Sequence, residues 1–289
     1  MTPAESKELR KIKERKRRVA DIQAVLGRER KQEIARHDLA IGLSSLFRVL
    51  KKGAKRKHIE IKQRHGTDDV VIAGPELDVA DQDVLFGLLA LALQQDLIPS
   101  IDDKNSLQAQ SWGLPPETLE VKTTTSELLY IMGRNKGGKQ LASIRRSIRY
   151  LCSVVVESHK SDGSWGTTNL VGGAAGRGDG ICVRLSYRIT MALMAQGVKG
   201  SGLQYAAISW QERRQLSPTA RLLHAWLCSW LPVGTCRKIK HSSLMKHIYG
   251  VEDVVTRSGQ SKRRKEITGA LQEIRRLPGW GGMELPVYN

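Results

Sequence analysis

Between Glu127 and Glu157 the chain has no acidic residue, yet the interval holds Arg134, Lys136, Lys139, Arg145, Arg146 and Arg149, threaded through apolar residues at helical spacing. Apolar residues that return every three or four positions commit a segment to an amphipathic helix resting on a core. Whatever such a helix turns outward here is cationic. The spacing predicts a helix from Lys139 to about Val155, with Leu141, Ile144, Ile148, Leu151 and Val155 inward and Lys139, Gln140, Ser143, Arg146 and Arg149 outward. Ser126 is the expected N-cap of a short preceding helix, Glu127 to Met132, and Gly133 to Gly138 supplies the turn between the two. A short helix, a turn and a helix with a basic outer face follow the logic of a helix-turn-helix.

A second segment of this kind lies near the C-terminus. Lys262, Arg263, Arg264 and Lys265 open a run whose apolar residues are Ile267, Leu271 and Ile274. The expected helix, from about Ser261 to Arg276, turns Lys262, Lys265, Gln272 and Arg276 outward. The elements around the two helices come in the same order. In the first half, Ile59, Ile61 and Val70 to Ile72 read as a hairpin. A helix capped by Asp81 follows, with Val84, Leu85, Leu88, Leu89 and Ala92 as its apolar stripe. After the basic helix comes a Gly-rich loop, Gly172 to Gly180, with Arg177 at its tip. A strand alternating inward at Ile181, Val183, Leu185, Tyr187 and Ile189 completes a wing-like hairpin. In the second half, a strand at Tyr205 to Ile208 precedes a helix capped by Ser217 with Pro218 at its first position, where a missing N–H costs nothing. A short helix from Ser242 to Tyr249, the basic helix and a strand at Met283, Leu285 and Val287 follow.

Charge and length agree with this plan. Lys and Arg number 47 against 29 Asp and Glu, a net charge of +18 that draws polyanions from a distance. The 289 residues amount to two domains of about 150 residues each. The expected divisions are a basic, partly helical or disordered arm over residues 1–44, a first domain over 45–198 and a second over 199–289. The longest apolar run, Val84 to Leu93, is half of the ~20 residues a membrane helix needs, so a cytoplasmic protein without a membrane partner is expected. Cys152, Cys182, Cys228 and Cys236 form no CxxC pair and read as buried free thiols. His241 and His247 stand six apart, which suits no zinc pair; neither metal nor cofactor is expected. No Ser-His-Asp set, carboxylate pair or activated cysteine is visible, so no catalytic residue is assigned and no enzyme is expected.

One motif competes. Gly133 to Lys139 fits the G-x-x-x-x-G-K of a phosphate-binding loop, which would make the chain a P-loop NTPase. Against this stands Gln140, where Ser or Thr would hold magnesium, and the want of alternating strands and helices for a parallel sheet. A transcriptional repressor built on the same helix-turn-helix units is the other alternative.

Three blocks carry a family resemblance: Leu46-Phe47-Arg48-Val49; Ala73-Gly74-Pro75-Glu76-Leu77 with Asp81 and Asp83; and Leu216-Ser217-Pro218-Thr219-Ala220-Arg221-Leu222-Leu223-His224. Over residues 45–280 or so the chain resembles the plasmid replication initiators of the TrfA and RepC kind, from IncP and IncQ plasmids. The resemblance implies two tandem winged-helix domains; the fold expected for this chain is α+β, those two domains with a basic N-terminal extension. It implies a plasmid-encoded protein of the bacterial cytoplasm that binds iteron repeats in double-stranded origin DNA and assists opening of an adjacent AT-rich segment. Implied partners are a replicative helicase or helicase loader, a sliding clamp in some members, and a second copy in a homodimer. Leu43-Ser44-Ser45-Leu46-Phe47 is similar to a clamp-binding peptide, although the family fold would bury Leu46 and Phe47. The chain departs from its relatives in its basic first forty residues and in the longer Gly-rich loop. The candidate DNA contacts are Arg134, Lys136, Lys139, Gln140, Ser143, Arg145, Arg146, Arg149 and Arg177 in the first half, and Lys262, Arg263, Arg264, Lys265, Gln272 and Arg276 in the second.

Overall fold

The structure is a computed structural model that describes residues 34–51, 53, 55–95, 100–101, 117–135, 137–194, 205–232, 234–235, 237–250 and 256–280. It begins with strand β1 (Ile34–Asp38) and helix α1 (Leu39–Leu43). The hairpin of β2 (His58–His65) and β3 (Asp68–Pro75) leads into helix α2 (Val79–Gln94). A minimal pairing of β4 (Ser100–Ile101) with β5 (Glu117–Thr118) precedes β6 (Glu120–Thr124), α3 (Thr125–Ile131) and α4 (Gly138–Cys152). Next come β7 (Val155–His159), β8 (Trp165–Asn169), β9 (Val171–Arg177), β10 (Gly180–Leu185) and α5 (Tyr187–Met194). The second half holds β11 (Tyr205–Ser209), α6 (Trp210–Arg214), α7 (Pro218–Trp230), α8 (His241–Tyr249) and α9 (Arg257–Arg275). The fold is thus mixed helix and strand.

Helix α2 is the hub. Its cap is Asp78, not Asp81: the Asp78 carboxylate accepts from the N–H of Ala80 at 2.8 Å and of Asp81 at 3.1 Å, while Asp81 accepts from the N–H of Asp78 at 2.8 Å. Asp81 is the third-position partner of a reciprocal capping box, which places the helix start three residues earlier than expected. Residues 81–93 are buried on every side, because β1, β6, α3, α4 and α7 all pack around them. A helix apolar all round belongs in the middle of a core.

The expected first hairpin is the start of a four-stranded antiparallel sheet in the order β2-β3-β7-β8. Ile61, Ile72, Val156 and Thr168 stand in register across it, which puts Val70, Ile72 and Val156 on the buried face. A three-stranded sheet runs β6-β10-β9, so that β10 lies between the strand that precedes α3 and the strand that follows the β7–β8 hairpin. A further two-stranded sheet joins the two halves of the sequence: Ile34 of β1 stands opposite Ser209 of β11. Buried side chains from both halves form one continuous cluster, where two separate cores were expected.

Several expectations are corrected. Residues 34–43, assigned to the arm, are integral: β1 completes the β11 pairing and α1 rests on α7. The strand expected through Ile189 stops at Leu185, and Tyr187 and Ile189 belong to α5. Their alternation is a strand pattern, but packing of α5 on β1, a hydrogen bond from the Thr190 N–H to the Ser186 carbonyl (2.9 Å) and one from the Ile189 N–H to Ser186 Oγ (3.4 Å) override it. Gly172 to Gly180 is mostly strand β9, turning only at Gly178 and Asp179, where Gly178 takes φ +61°. The α3 cap is Thr124, whose Oγ1 accepts from the Glu127 N–H at 3.1 Å, rather than Ser126. Helix α4 ends at Cys152, so Val155 leaves the inward stripe and Ser147 is buried in its place. Cys152, Cys182 and Cys228 are free but only half-buried. Leu46 and Phe47 are buried and bridge to Leu77, so the clamp-like peptide is part of the core and unavailable as a linear motif. Residues 1–33, Lys136, Cys236 and the Met283–Val287 strand pattern lie outside the described residues.

Candidate nucleic-acid interface

Helix α4 is anchored by Ile144, Ser147, Ile148 and Leu151. That anchoring turns Lys139, Arg145, Arg146 and Arg149 to solvent and leaves Gln140 and Ser143 half-buried at the border. The β9–β10 turn is held against the same helix. Ser126 donates to the Asp179 carboxylate at 2.6 Å, the Thr125 N–H donates to the Asp179 carbonyl at 2.9 Å, and the Arg145 guanidinium donates to the Gly178 carbonyl. Arg177, exposed at the end of β9, is thereby fixed near α4. A hairpin tied at both sides presents its cation to a phosphate without first being ordered, which spares part of the entropic cost of binding.

Arg134 does something else. Its guanidinium is drawn inward to Asp83 at 2.6 Å, so it is a structural ion pair and not an outward cation. The same carboxylate, wholly buried, also takes Arg213 at 2.8 Å and Arg221 at 2.9 Å. Periodicity misses this because the partner lies on a different helix.

Helix α9 starts a turn earlier than expected, capped by Thr256, whose Oγ1 accepts from the Gly259 N–H at 3.2 Å. Its first buried residue is Ile267. The ten positions before it span ~15 Å at 1.5 Å per residue and lie beside α8. Lys262, Arg264 and Lys265 are exposed on this stretch; so are Arg257 and Gln260, which the sequence reading missed by starting the helix at Ser261. Thr256 followed by a helix-compatible polar run was the available signal. Arg263 is half-buried, its guanidinium 4.4 Å from the centre of the Tyr249 ring. Gln272 and Arg276 are exposed toward the C-terminal end.

The two carboxylates of α9 both accept hydrogen bonds from neighbouring elements, and Glu266 remains exposed. Glu266 accepts from the Tyr249 hydroxyl at 2.8 Å and from the Thr219 hydroxyl at 2.7 Å. Glu273 accepts from the Ser217 N–H at 2.7 Å and so serves the start of α7. Burial and the neighbouring Glu266 push the Tyr249 phenol up, which keeps it a hydrogen-bond donor. The outer face of α9 is left cationic. Beside it, Gln260 and Arg264 border a cavity of about 400 Å³ with His241, Ser242 and Met245 of α8.

The phosphate-loop reading of Gly133 to Lys139 fails on context. Leu128 to Ile131 is helical, Gly133 ends that helix with φ +66°, and Gly137 is the N-cap of α4. The segment is the turn between two helices, whereas a phosphate loop follows a strand. A Cys228–His224–Glu212 cluster also looks reactive: His224 Nε2 lies 3.6 Å from the thiol and 3.2 Å from the carboxylate. Both partners crowd one ring nitrogen, and burial, with the nearby Glu212 charge, pushes the thiol up to about 12, which disfavours the thiolate that nucleophilic attack requires. Among the described residues no group of His, Cys, Asp and Glu is arranged to hold a metal, and no helix is long and apolar enough to cross a membrane.

Fold and surface together define a class: a mixed helix-and-strand protein that offers two cationic helices, each backed by apolar core, to a polyanion. The chain belongs to the Replication protein C (RepC) family, whose profile matches residues 29–286, and is accordingly a replication initiation protein. Among solved structures, domains 2–3 of RctB share the fold with a TM-score of 0.50 at 11% identity, over 82% of this chain and 83% of that one. A selenomethionine derivative of the same two domains gives 0.49 at 12% identity, over 79% and 81%. No individual curated protein matches the chain.

Proposed function

We propose that the protein initiates plasmid replication by binding iterons in double-stranded origin DNA through two winged-helix units, with α4 and α9 each entering a major groove. The carrying observation is that both helices turn several cations outward, while α4 carries no acidic residue and the two carboxylates of α9 are engaged by α7 and α8. The first unit takes α2, β6, α3, α4, β9 and β10, with the β7–β8 hairpin of the other sheet inserted between α4 and β9, and β9 and β10 serve as its wing. The second runs α7, α8 and α9. Arg and Gln side chains read base edges, and neighbouring Lys and Arg neutralise phosphates. Bending of the bound duplex favours opening at easily unstacked AT-rich steps, and a recruited helicase or its loader extends the bubble. A repressor shares the DNA-binding surface, but membership in a replication family favours the initiator.

The test is a footprint on origin DNA. Protection recurs at the iteron interval for the native protein, and Arg264→Ala combined with Lys265→Ala abolishes it with the circular dichroism spectrum unchanged. A footprint on a single non-repeated operator, with no support of plasmid replication, would establish the repressor instead.

A further inference from the structure

Resting on that DNA-binding reading, we infer that Asp83 and the arginines around it are positioning residues that lock α4 and α9 into one rigid body. The protein then recognises DNA at a fixed helical phase and not as two independently tethered modules. Asp83 sits on the central helix α2 and is fully buried. One of its oxygens takes Arg134, in the turn that launches α4, at 2.6 Å, and Arg221 of α7 at 2.9 Å; the other takes Arg213 of α6 at 2.8 Å. Arg213 is itself fully buried. It also donates to Gln82 Oε1 at 2.8 Å and to the Arg221 carbonyl at 3.0 Å.

A second latch lies next to this cluster. Arg214 of α6 donates through Nε at 3.0 Å and through Nη2 at 2.5 Å to the carbonyl of Ile131, the last residue of α3. A cation on a C-terminal helix carbonyl both satisfies that group and opposes the helix dipole. On the far side, α7 is joined to α9 by the Thr219–Glu266 and Ser217–Glu273 hydrogen bonds. Charged hydrogen bonds therefore run from the turn before α4 through Asp83 of α2 to Arg221 of α7, and from the first turn of α7 to α9, with the α7 helix joining the two sets. Buried charged networks of this kind fix geometry more than they add stability, since desolvation offsets much of their attraction. Surface domain contacts, by contrast, leave relative motion as the default.

Asp83 itself is a poor test site, because removing it strands three guanidinium groups and threatens folding. The double variant Arg214→Gln, Arg221→Gln leaves Asp83 paired with Arg134 and Arg213, which preserves the fold, and loosens the lock by removing the Arg221–Asp83 and Arg214–Ile131 links. Spin labels, attached by non-thiol chemistry at exposed positions 142 and 258, report the α4–α9 distance in full-length protein without DNA. The expected result is a narrow distribution for the otherwise native chain and a broadened one for the double variant. A broad native distribution, or one the variant leaves unchanged, overturns the inference. On DNA, inserting 5 bp at the centre of the protected repeat rotates its halves by about half a turn of the ~10-bp helix. That insertion is expected to weaken native binding at least tenfold and variant binding much less; equal native binding to both duplexes overturns the lock. A narrow distribution without binding to any duplex sustains the lock and refutes the DNA reading on which it rests.

Discussion

His37 is held neutral in the folded protein, and this makes stability fall with acid in a calculable way. The imidazole is buried beside Phe86, their ring centres 5.0 Å apart, with Nε2 3.3 Å from the Ser229 hydroxyl. Burial, helped by the Arg213 charge and opposed by Asp38, lowers its pKa from 6.5 to about 4. Between those values the unfolded chain binds a proton that the folded chain refuses. The stabilisation is therefore complete above pH 6.5 and declines as pH falls toward 4, by about 1.4 kcal/mol per pH unit. From pH 7 to pH 5 the group alone removes about 2 kcal/mol. Urea unfolding, followed by tryptophan fluorescence, measures this for the native protein and for His37→Gln. Other titrating groups act equally in both proteins and cancel in the comparison. The variant starts less stable but loses about 2 kcal/mol less over the interval. If both proteins lose the same amount, His37 is solvated or charged in the fold and the reasoning is wrong.

Asp83→Ala leaves three buried or half-buried guanidinium groups without their carboxylate and is expected to cost about 3–5 kcal/mol, read as a drop in melting temperature on the order of 10 °C. Gly42→Ala places a Cβ against the Ser229 hydroxyl and the His37 ring, where α1 meets α7, and is expected to cost about 1–3 kcal/mol in denaturant unfolding. Lys265→Ala is expected to lower the slope of log affinity against log salt by about 0.9, the signature of one lost phosphate contact on duplex DNA. An unchanged slope would remove Lys265 from the interface. His247, lowered to about 3 by burial and the Arg48 charge, adds acid sensitivity of the same sign as His37, and His247→Gln is expected to flatten the pH profile of unfolding further.

The sequence by itself determined the two amphipathic basic helices, the turn between α3 and α4, the β2–β3 hairpin, and the Ser217–Pro218 start of α7. Each is written in neighbours a few residues apart, through periodicity, capping and turn chemistry. Tertiary structure decided which of several locally acceptable alternatives was taken. The alternation from Ile181 to Ile189 is a strand pattern throughout, yet contact with β1 makes its second half α5. Residues 34–38 carry only a weak local signal, and their strand exists because β11 supplies its backbone partners. Arg134 and Arg146 look alike in the sequence, yet one is captured by Asp83 and the other faces solvent. Hydrogen bonds and ion pairs between residues distant in the chain carry no periodicity, so charge becomes surface or scaffold only when the chain closes on itself.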